Sequence, residues 1–395
     1  MQSRLPHDLD INKTGWQRAR ERSVSSLRAY VLNNMASELR NDYESAVLPQ
    51  LDEAPADGPA VHKALRPRET FRWYSSLRCT AQELVWNSVI DSINPQAGAL
   101  AEKVEALTND ASKTDGTLVL DDEVDVPDYY EVLDVHLMPG NYHGASADPG
   151  VLPGAVYDNG FNVFAFGAMG KEHNDIGWSF ANFARLRFPD LEPRTIVDVG
   201  CTIGHNTLPW KQTYPEATVY GVDLAAACLR YAHARARSLG VEAHFRQASS
   251  DLLPFDDSSV DVVFSSMFLH ELPARHIARF LREAHRVLRP GGLLLNMELP
   301  PNSALEAFDA FYLDWDSYYN NEPFYKDFRD QDFKRLCTAA GFAEDAFFEG
   351  VMPRFTYNPS EVFAAAVNGE ATFDEDTGRL SDDIQWYGFG ARKRA

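Results

Sequence analysis

The chain has 395 residues, of which 45% are hydrophobic and 24% charged, so two ordinary globular domains fit within it. Its formal net charge is −21 and no basic cluster interrupts the acidic composition, which argues against nucleic acid and against an anionic membrane as partners. No apolar run reaches membrane-spanning length and the first residues lack the apolar core of a signal peptide, so we expect a cytoplasmic protein. The four cysteines form no C-x-x-C, which predicts neither a disulfide framework nor a zinc site.

Three helical patterns separated by turn signals predict a mainly α-helical N-terminal domain over residues 1–115. The first helix is expected from Thr14 to about Leu51, and the second, from Glu69 to Ile93, is apolar on more than one face and must be sandwiched. Residues 52–59 are interpreted as a break, and a third helix follows over 96–107. A homodimer through the first helix is an alternative use of its apolar stripe. This stripe repeats at steps of four and consists of Leu27, Val31, Met35, Leu39, Tyr43 and Val47.

Residues 116–190 are predicted to form a connecting or lid segment that contributes to the active site. Residues 118–137 have a β-strand character, and residues 157–167 form an aromatic stretch that we expect to be flexible. Residues 174–189 are expected to form a helix that ends at the first core strand. A metal site in the turn cluster before this stretch would need a third ligand of matching geometry, for which His173, Asp158 and His205 are only possibilities, so we expect none. That cluster holds His136, Tyr142 and His143.

A glycine-containing loop at the start of residues 191–395 predicts a nucleotide-binding half of a wound α/β domain. Thr195 begins a β-branched run that passes through Gly200 and Gly204 into a helix, and a second strand ends in Asp223. Such a carboxylate can accept both hydroxyls of a ribose. A dinucleotide site would require G-x-G-x-x-G, whereas this loop has G-x-x-x-G, is preceded by the acidic Asp198, and carries no basic residue.

This segment resembles the core of class I S-adenosylmethionine (SAM) dependent methyltransferases over about 110 residues. The family's first motif, an acidic residue followed by G-x-G-x-G, matches Asp198 to Gly204 except that Thr202 replaces the middle glycine. The resemblance implies a Rossmann-like seven-stranded sheet with an antiparallel last strand, and SAM as cofactor with S-adenosyl-L-homocysteine (SAH) as product. The core is similar to the ubiquinone and menaquinone subgroup, but the helical N-terminal extension is not part of its usual form.

The resemblance also implies which residues bind the cofactor. Asp223 would bind the ribose hydroxyls, and Ser249 stands where the family often carries an aspartate on the adenine side, so we expect a modest loss of affinity. In related proteins the segment ahead of the core closes over the methionine end of SAM, which makes Tyr157 a cofactor candidate and Phe161 a pocket candidate. Packing in the seam between the domains is the alternative for both. The expected cofactor residues are Asp198, Gly200, Thr202, Gly204, Asp223, Leu224, Ser249, Ser250, Met267 and Tyr157.

His270 is the best-placed general base by sequence, because it follows the fourth core strand and imidazole titrates near neutral pH. Glu271 is expected to orient it, and His143 is a second catalytic candidate. The alternative for His270 is a hydrogen bond to the backbone that holds the loop.

Residues 303–342 form an aromatic insertion that the family pattern places over the active-site mouth. Aromatic walls with a few polar groups suit a small-molecule pocket, although a lid helix packed on the N-terminal domain is the alternative. Two final antiparallel strands are expected over 343–351 and 385–393. The expected pocket residues are Phe161, Phe268, Tyr312, Trp315 and Tyr319.

The expected function is methyl transfer to a small-molecule acceptor, with O-methylation in biosynthetic or specialised metabolism preferred. C-, N- or S-methylation is an alternative. A peptide or protein methyltransferase that docks its substrate through the N-terminal helices is another, and a SAM-binding protein without catalysis is the third.

Overall fold

The computed structural model describes residues 6–143, 150–380 and 383–394. Its N-terminal part is helical, as the sequence predicts, and the first helical rod runs without interruption from Gly15 to Gln50. The α-helices of this part are α1 (Gly15–Ala29), α2 (Ala36–Asp42), α3 (Gly58–Leu65), α4 (Glu69–Ile93) and α5 (Ala97–Asn109).

Two π-helical stretches within the first rod, Tyr30–Met35 and Tyr43–Val47, explain the four-residue spacing of its apolar stripe. An α-helix has 3.6 residues per turn, so a stripe repeated every four residues drifts around its surface. Hydrogen bonds from i to i+5 widen the turn and return the stripe to one face. Val31 and Leu39 are fully buried by other residues of the same chain. The homodimer through this rod stays a prediction.

Helix α4 is sandwiched as expected, because α1, α2 and two later helices, Leu152–Phe164 and Ala307–Tyr319, all contact it. The short helix α3 was not predicted, since residues 52–59 were interpreted as a break. The Asp57 side chain accepts a hydrogen bond from the Ala60 amide at 2.9 Å, and Pro59 lies in the first turn. Aspartate at the N-cap with proline in the first turn is a helix start signal, so the same residues both end one helix and begin the next.

The connecting segment is more helical than the sequence predicts. Of the expected β-region over residues 118–137, only two residues form a strand. The aromatic stretch over 157–167, expected to be flexible, lies largely in a helix, because its apolar residues pack against Trp86 and the cofactor-binding half. The elements are β1 (Leu118–Val119), α6 (Asp128–Val132), α7 (Leu152–Phe164) and α8 (Asp175–Arg187).

The C-terminal part is built on one sheet, whose strands are β2 (Thr195–Val199), β3 (Thr218–Asp223), β4 (His244–Gln247), β5 (Val260–Ser266), β6 (Leu288–Glu298), β7 (Phe347–Pro353) and β8 (Gln385–Arg392). The helices between them are α9 (Leu208–Thr213), α10 (Ala226–Ser238), α11 (Ala274–Val287), α12 (Ala307–Tyr319), α13 (Tyr325–Arg329), α14 (Phe333–Ala339) and α15 (Ser360–Val367).

The strand order of this eight-stranded sheet is β1-β4-β3-β2-β5-β6-β8-β7. Strands β1 to β6 pair in parallel, and β8 runs antiparallel to both β6 and β7. The seven-stranded arrangement with an antiparallel last strand is therefore confirmed, with β1 added at the edge. The order reverses between β2 and β5, which is where doubly wound sheets bind ligands.

Apolar residues cover both faces of the sheet. Val197, Val263 and Leu294 belong to one buried cluster, while Ile196 and Phe264 belong to another. Near-continuous apolar strands are typical of a parallel sheet buried on both sides. In the ranges that the structure describes, no helix combines the length and the apolar character that crossing a bilayer requires.

Candidate active site

One cavity lies at the carboxyl edge of the parallel strands, where the loops after β2, β3, β4 and β5 meet. Helices α1, α4, α7 and α12 supply much of the remaining wall, so the N-terminal part and the sheet enclose the same space. Of the residues expected from sequence, those that line this cavity are Tyr157, Phe161, Asp198, Gly200, Thr202, Asp223, Leu224, Ser249, Ser250, Met267, Phe268, His270 and Glu271.

The loop after β2 is held in the left-handed backbone region that glycine favours. Gly200, Thr202 and Gly204 have φ values of 76°, 49° and 70°. Thr202 therefore adopts a conformation suited to the glycine that it replaces. Gly204 does not line the cavity; a side chain there would meet the ring of Phe245 on β4, so this glycine allows close packing beneath the loop. Its role as a cofactor contact stays a prediction.

Asp198 lies beneath the loop, fully buried. Its Oδ2 accepts a hydrogen bond from the Thr207 hydroxyl at 2.6 Å, while among the described residues Oδ1 has no hydrogen-bond partner. Burial raises the pKa of Asp198 to about 7. A buried acceptor without a partner on a cavity wall indicates a ligand group that donates to it, and the ammonium group of SAM has the required chemistry.

Asp223 ends β3 and faces the same loop. Its two carboxylate oxygens accept the amide hydrogens of Thr202 and Ala225, each at 2.8 Å. Burial raises its pKa to about 6. A carboxylate fixed by two backbone amides keeps lone pairs directed away from them, which suits the ribose hydroxyls.

The loop after β4 is the predicted adenine side. The Gln247 side-chain amide donates to the Leu224 carbonyl at 3.0 Å, which ties this loop to the end of β3. Ser249 and Ser250 line the cavity, and the Ser249 hydroxyl accepts the amide hydrogen of Asp251 at 3.2 Å. The residues of all three loops therefore fit SAM.

His270 is buried in a 3-10 turn after β5, and its Nδ1 lies 2.5 Å from Oε2 of Glu298. Tyr325 stacks on the imidazole with ring centroids 3.7 Å apart. The other ring nitrogen, Nε2, has no hydrogen-bond partner among the described residues. Burial alone would lower the pKa of His270, but the negative charges of Glu298, Glu322 and Glu271 raise it above its ordinary value.

Glu298, at the end of β6, is the residue that orients His270. Its Oε1 also accepts the amide hydrogens of Phe268 and Leu269, at 2.9 and 2.7 Å, which fixes the loop. The expectation that Glu271 orients His270 is wrong. Glu271 instead accepts the Tyr142 hydroxyl at 2.9 Å, because the 3-10 turn directs adjacent side chains differently. Glu298 was not predicted as a site residue. Its position as an acidic residue at the end of a buried strand is the sequence feature that could have indicated it.

His143 is also corrected, because it does not line the cavity. Its imidazole packs against the Tyr130 ring, and Nε2 lies 3.2 Å from the carbonyl of Glu131. His136, from the same turn cluster, lines the cavity instead. Its Nδ1 lies 2.8 Å from Glu322, and although burial opposes this, the two neighbouring glutamates raise its pKa to about 10. No group of three or more metal-ligating side chains occurs among the described residues.

The aromatic insertion contributes to the cavity through a different face than expected. Tyr312, Trp315 and Tyr319 do not line it. Trp315 packs on His62 with ring centroids 4.3 Å apart and donates a hydrogen bond to the Ser75 hydroxyl at 2.9 Å, so this face is buried against α3 and α4. The alternative of a helix packed on the N-terminal part is therefore what the structure shows. The residues that α12 and the following turn place on the wall are Leu313, Asp316, Ser317, Asn320 and Glu322.

Two cavity residues from the N-terminal helices were not anticipated. Arg28 on α1 and Trp86 on α4 are almost fully buried and line the cavity. Arg28 lies on the buried face of the first rod, between the buried residues Val24 and Val31. An arginine on an otherwise apolar helix face is the sequence feature that could have indicated a functional residue.

Comparisons with known proteins agree with this geometry. A family model described as "Methyltransferase domain" matches residues 196–292. Malonyl-[acyl-carrier protein] O-methyltransferase 1 of Coxiella burnetii is 34% identical over 141 residues, which are 36% of this chain and 45% of that protein. Demethylmenaquinone methyltransferase of Thermus thermophilus is 33% identical over 149 residues, 37% of this chain and 61% of that protein.

A more distant match is the tRNA N(3)-methylcytidine methyltransferase Mettl2 of Drosophila melanogaster, 30% identical over 132 residues, which are 31% of this chain and 41% of that protein. A crystal structure of a putative O-methyltransferase from Nostoc punctiforme aligns over 93% of this chain and 97% of that one, with 13% identity and a TM-score of 0.43. The chain spans about half the length of the curated relatives that it matches. Residues 196–292 are therefore similar to a methyltransferase domain, and the strand order and glycine loop agree with the Rossmann-like fold of SAM-dependent methyltransferases.

Proposed function

We propose that this protein transfers a methyl group from SAM to a small-molecule acceptor. The observation that carries the proposal is the shared cavity, in which the cofactor loop, His270 and the N-terminal helices meet. A site enclosed by α1, α4, α7 and α12 suits a small acceptor better than a folded protein or a tRNA. The net charge of −21 also disfavours a polyanionic substrate.

The bound cofactor supplies an activated methyl group on a sulfonium, so the chain mainly has to align the acceptor and exclude water. Tyr157 and Phe161 stack with centroids 5.3 Å apart, and each contacts the His205 ring at 5.6 and 5.7 Å. These rings form an apolar wall beside the glycine loop. Trp86 closes the opposite side and is fixed by a hydrogen bond from its indole nitrogen to the His136 carbonyl at 2.6 Å.

His270 is assigned as the general base. In its neutral form Nε2 would accept the proton that an acceptor hydroxyl loses as the new bond to the methyl group forms. Glu298 holds Nδ1 and would stabilise the imidazolium that results, because a buried carboxylate 2.5 Å away favours the charged ring. A residue with this task suits a hydroxyl acceptor, so O-methylation is the preferred reaction, in biosynthetic or specialised metabolism.

Isothermal titration calorimetry with SAM, SAH and NAD tests the cofactor assignment first. We expect SAM and SAH to bind and NAD not to bind. Acceptor screening would follow with SAM that carries a labelled methyl group. Binding of SAH without methyl transfer to any component of a small-molecule extract would favour a cofactor-binding protein without catalysis. A cytoplasmic location stays a prediction from the sequence.

A further inference from the structure

Arg28 is a buried guanidinium on the cavity wall that lacks a carboxylate partner. Its side chain is 1% exposed. It donates to the Gln82 side-chain oxygen at 2.5 Å and to the Phe164 carbonyl at 2.7 Å, both neutral oxygens. Nη2 has no hydrogen-bond partner within the part of the chain that the structure describes. A buried donor left unpaired is costly, so its presence on a cavity wall indicates a ligand acceptor.

The nearby carboxylate does not neutralise Arg28, because it already serves another arginine. Asp316 pairs with the buried Arg78, which also donates to Asn320 at 2.6 Å. Burial alone would raise the pKa of Asp316, but Arg78 and Arg28 lower it below its usual value. Asp316 thus forms its ion pair with Arg78, and Arg28 has only neutral oxygens as hydrogen-bond acceptors.

Arg28 remains a cation at neutral pH. Burial, with a contribution from Arg78, lowers its pKa to about 9. Its guanidinium also lies over the Phe164 ring, 4.0 Å from the centroid. A planar guanidinium fixed by stacking and by two hydrogen bonds presents its remaining N–H groups in a set direction, which is the geometry that recognises carboxylates.

Accepting the proposed methyltransferase function, we propose that Arg28 binds an anionic oxygen group, a carboxylate, of the methyl acceptor. The other carboxylate that could reach this cavity is that of SAM itself. The rings beside the glycine loop are Tyr157, Phe161 and His205, whereas Arg28 lies over Phe164, about one turn after Phe161 on α7, and interacts electrostatically with Asp316 on α12. This separation assigns Arg28 to the acceptor.

The test compares matched probes on the full chain saturated with SAH. A panel of carboxylic acids of two to ten carbons is paired with the corresponding primary amides, and binding is read by thermal shift and calorimetry. The variants are R28M, R28K and, as control, R235M. Arg235 is equally buried and has two unpartnered nitrogens among the described residues, but it does not line the cavity.

We expect acids to bind wild type and R235M at least tenfold more tightly than their amides. R28M should lose this preference, and R28K should keep only part of it. Acids that bind no better than amides, or a preference that survives in R28M, would overturn the proposal. The R28K result keeps the test valid if R28M does not fold.

Binding of two nucleosides distinguishes a carboxylate of the acceptor from the carboxylate of the cofactor. SAH carries the amino-acid carboxylate and 5′-methylthioadenosine lacks it. If R28M or R28K weakens SAH but not 5′-methylthioadenosine, Arg28 holds the cofactor and the acceptor assignment is wrong. If wild type binds neither nucleoside, the proposed function itself fails, which is a different outcome from lost discrimination between acids and amides.

Discussion

Nδ1 of His270 lies 2.5 Å from Oε2 of Glu298, with both side chains buried, although 28 residues separate them in the chain. The pairing arises because β5 and β6 are parallel neighbours, so the turn after β5 and the end of β6 meet at one sheet edge. Glu298 also accepts two amide hydrogens of that turn. The same carboxylate therefore fixes the loop, the imidazole ring and the ring's proton.

His270→Gln should lower kcat by about a hundredfold or more while leaving SAH affinity unchanged, since general base catalysis contributes roughly 10²–10⁴-fold. The measurement is steady-state transfer of labelled methyl groups to the acceptor found by screening, with calorimetry of SAH. Phe268, its neighbour on the cavity wall, is the matched control: Phe268→Leu should change KM more than kcat. An unchanged kcat in His270→Gln would exclude His270 as the base.

The pH dependence follows from the raised pKa of His270. A base acts in its neutral form, so kcat should rise as pH increases through this raised pKa. Glu298→Gln keeps an oxygen for the two amides but removes the negative charge and turns an NH2 donor toward Nδ1, which favours the tautomer with the proton on Nε2, so kcat should fall and the remaining rising limb should move to lower pH. The pH profiles of kcat for both proteins are the measurement. If the rising limb of the pH profile does not shift in Glu298→Gln, then Glu298 does not set the pKa of His270.

Asp223→Ala should weaken SAH binding by about tenfold to a hundredfold, because a charged hydrogen bond contributes roughly 1.5–3 kcal/mol. Asp223→Asn is the matched control, since it retains an acceptor oxygen and should bind SAH with intermediate affinity. Titration calorimetry with SAH measures both. Equal affinities of wild type and Asp223→Ala for SAH would contradict the assignment of Asp223 to the ribose hydroxyls.

Gly200→Ala should abolish SAH binding and lower the melting temperature, because the backbone has φ 76° and an added Cβ would clash with the Phe268 ring. Gly240→Ala distinguishes the effect of backbone strain from that of the steric clash. Gly240 has φ 70° but no atom within 4 Å of an added Cβ, so this variant carries the backbone strain alone. Thermal unfolding with and without SAH tests the pair. Similar behaviour of the two variants would mean that the loop does not depend on contact with Phe268.

The sequence by itself determined the sheet and its cofactor loops. The β-branched strands, the glycines after β2 and the acid after β3 are close in the chain, and parallel strands bring their carboxyl ends to one edge whatever surrounds them. The extents of α4 and β8 could also be predicted, because each has a clear apolar pattern between turn signals. These features depend on local residue patterns.

Only the tertiary structure decided which distant side chains complete the cavity. Glu298 rather than Glu271 meets His270 because strand pairing, not adjacency, sets that contact. Trp315 turned away from the cavity while Asp316, its neighbour, lines it, because the faces of α12 are assigned by packing on α3 and α4. Arg28 reaches the site from more than 150 residues upstream of β2, a contact that no local pattern encodes because it depends on how helices dock.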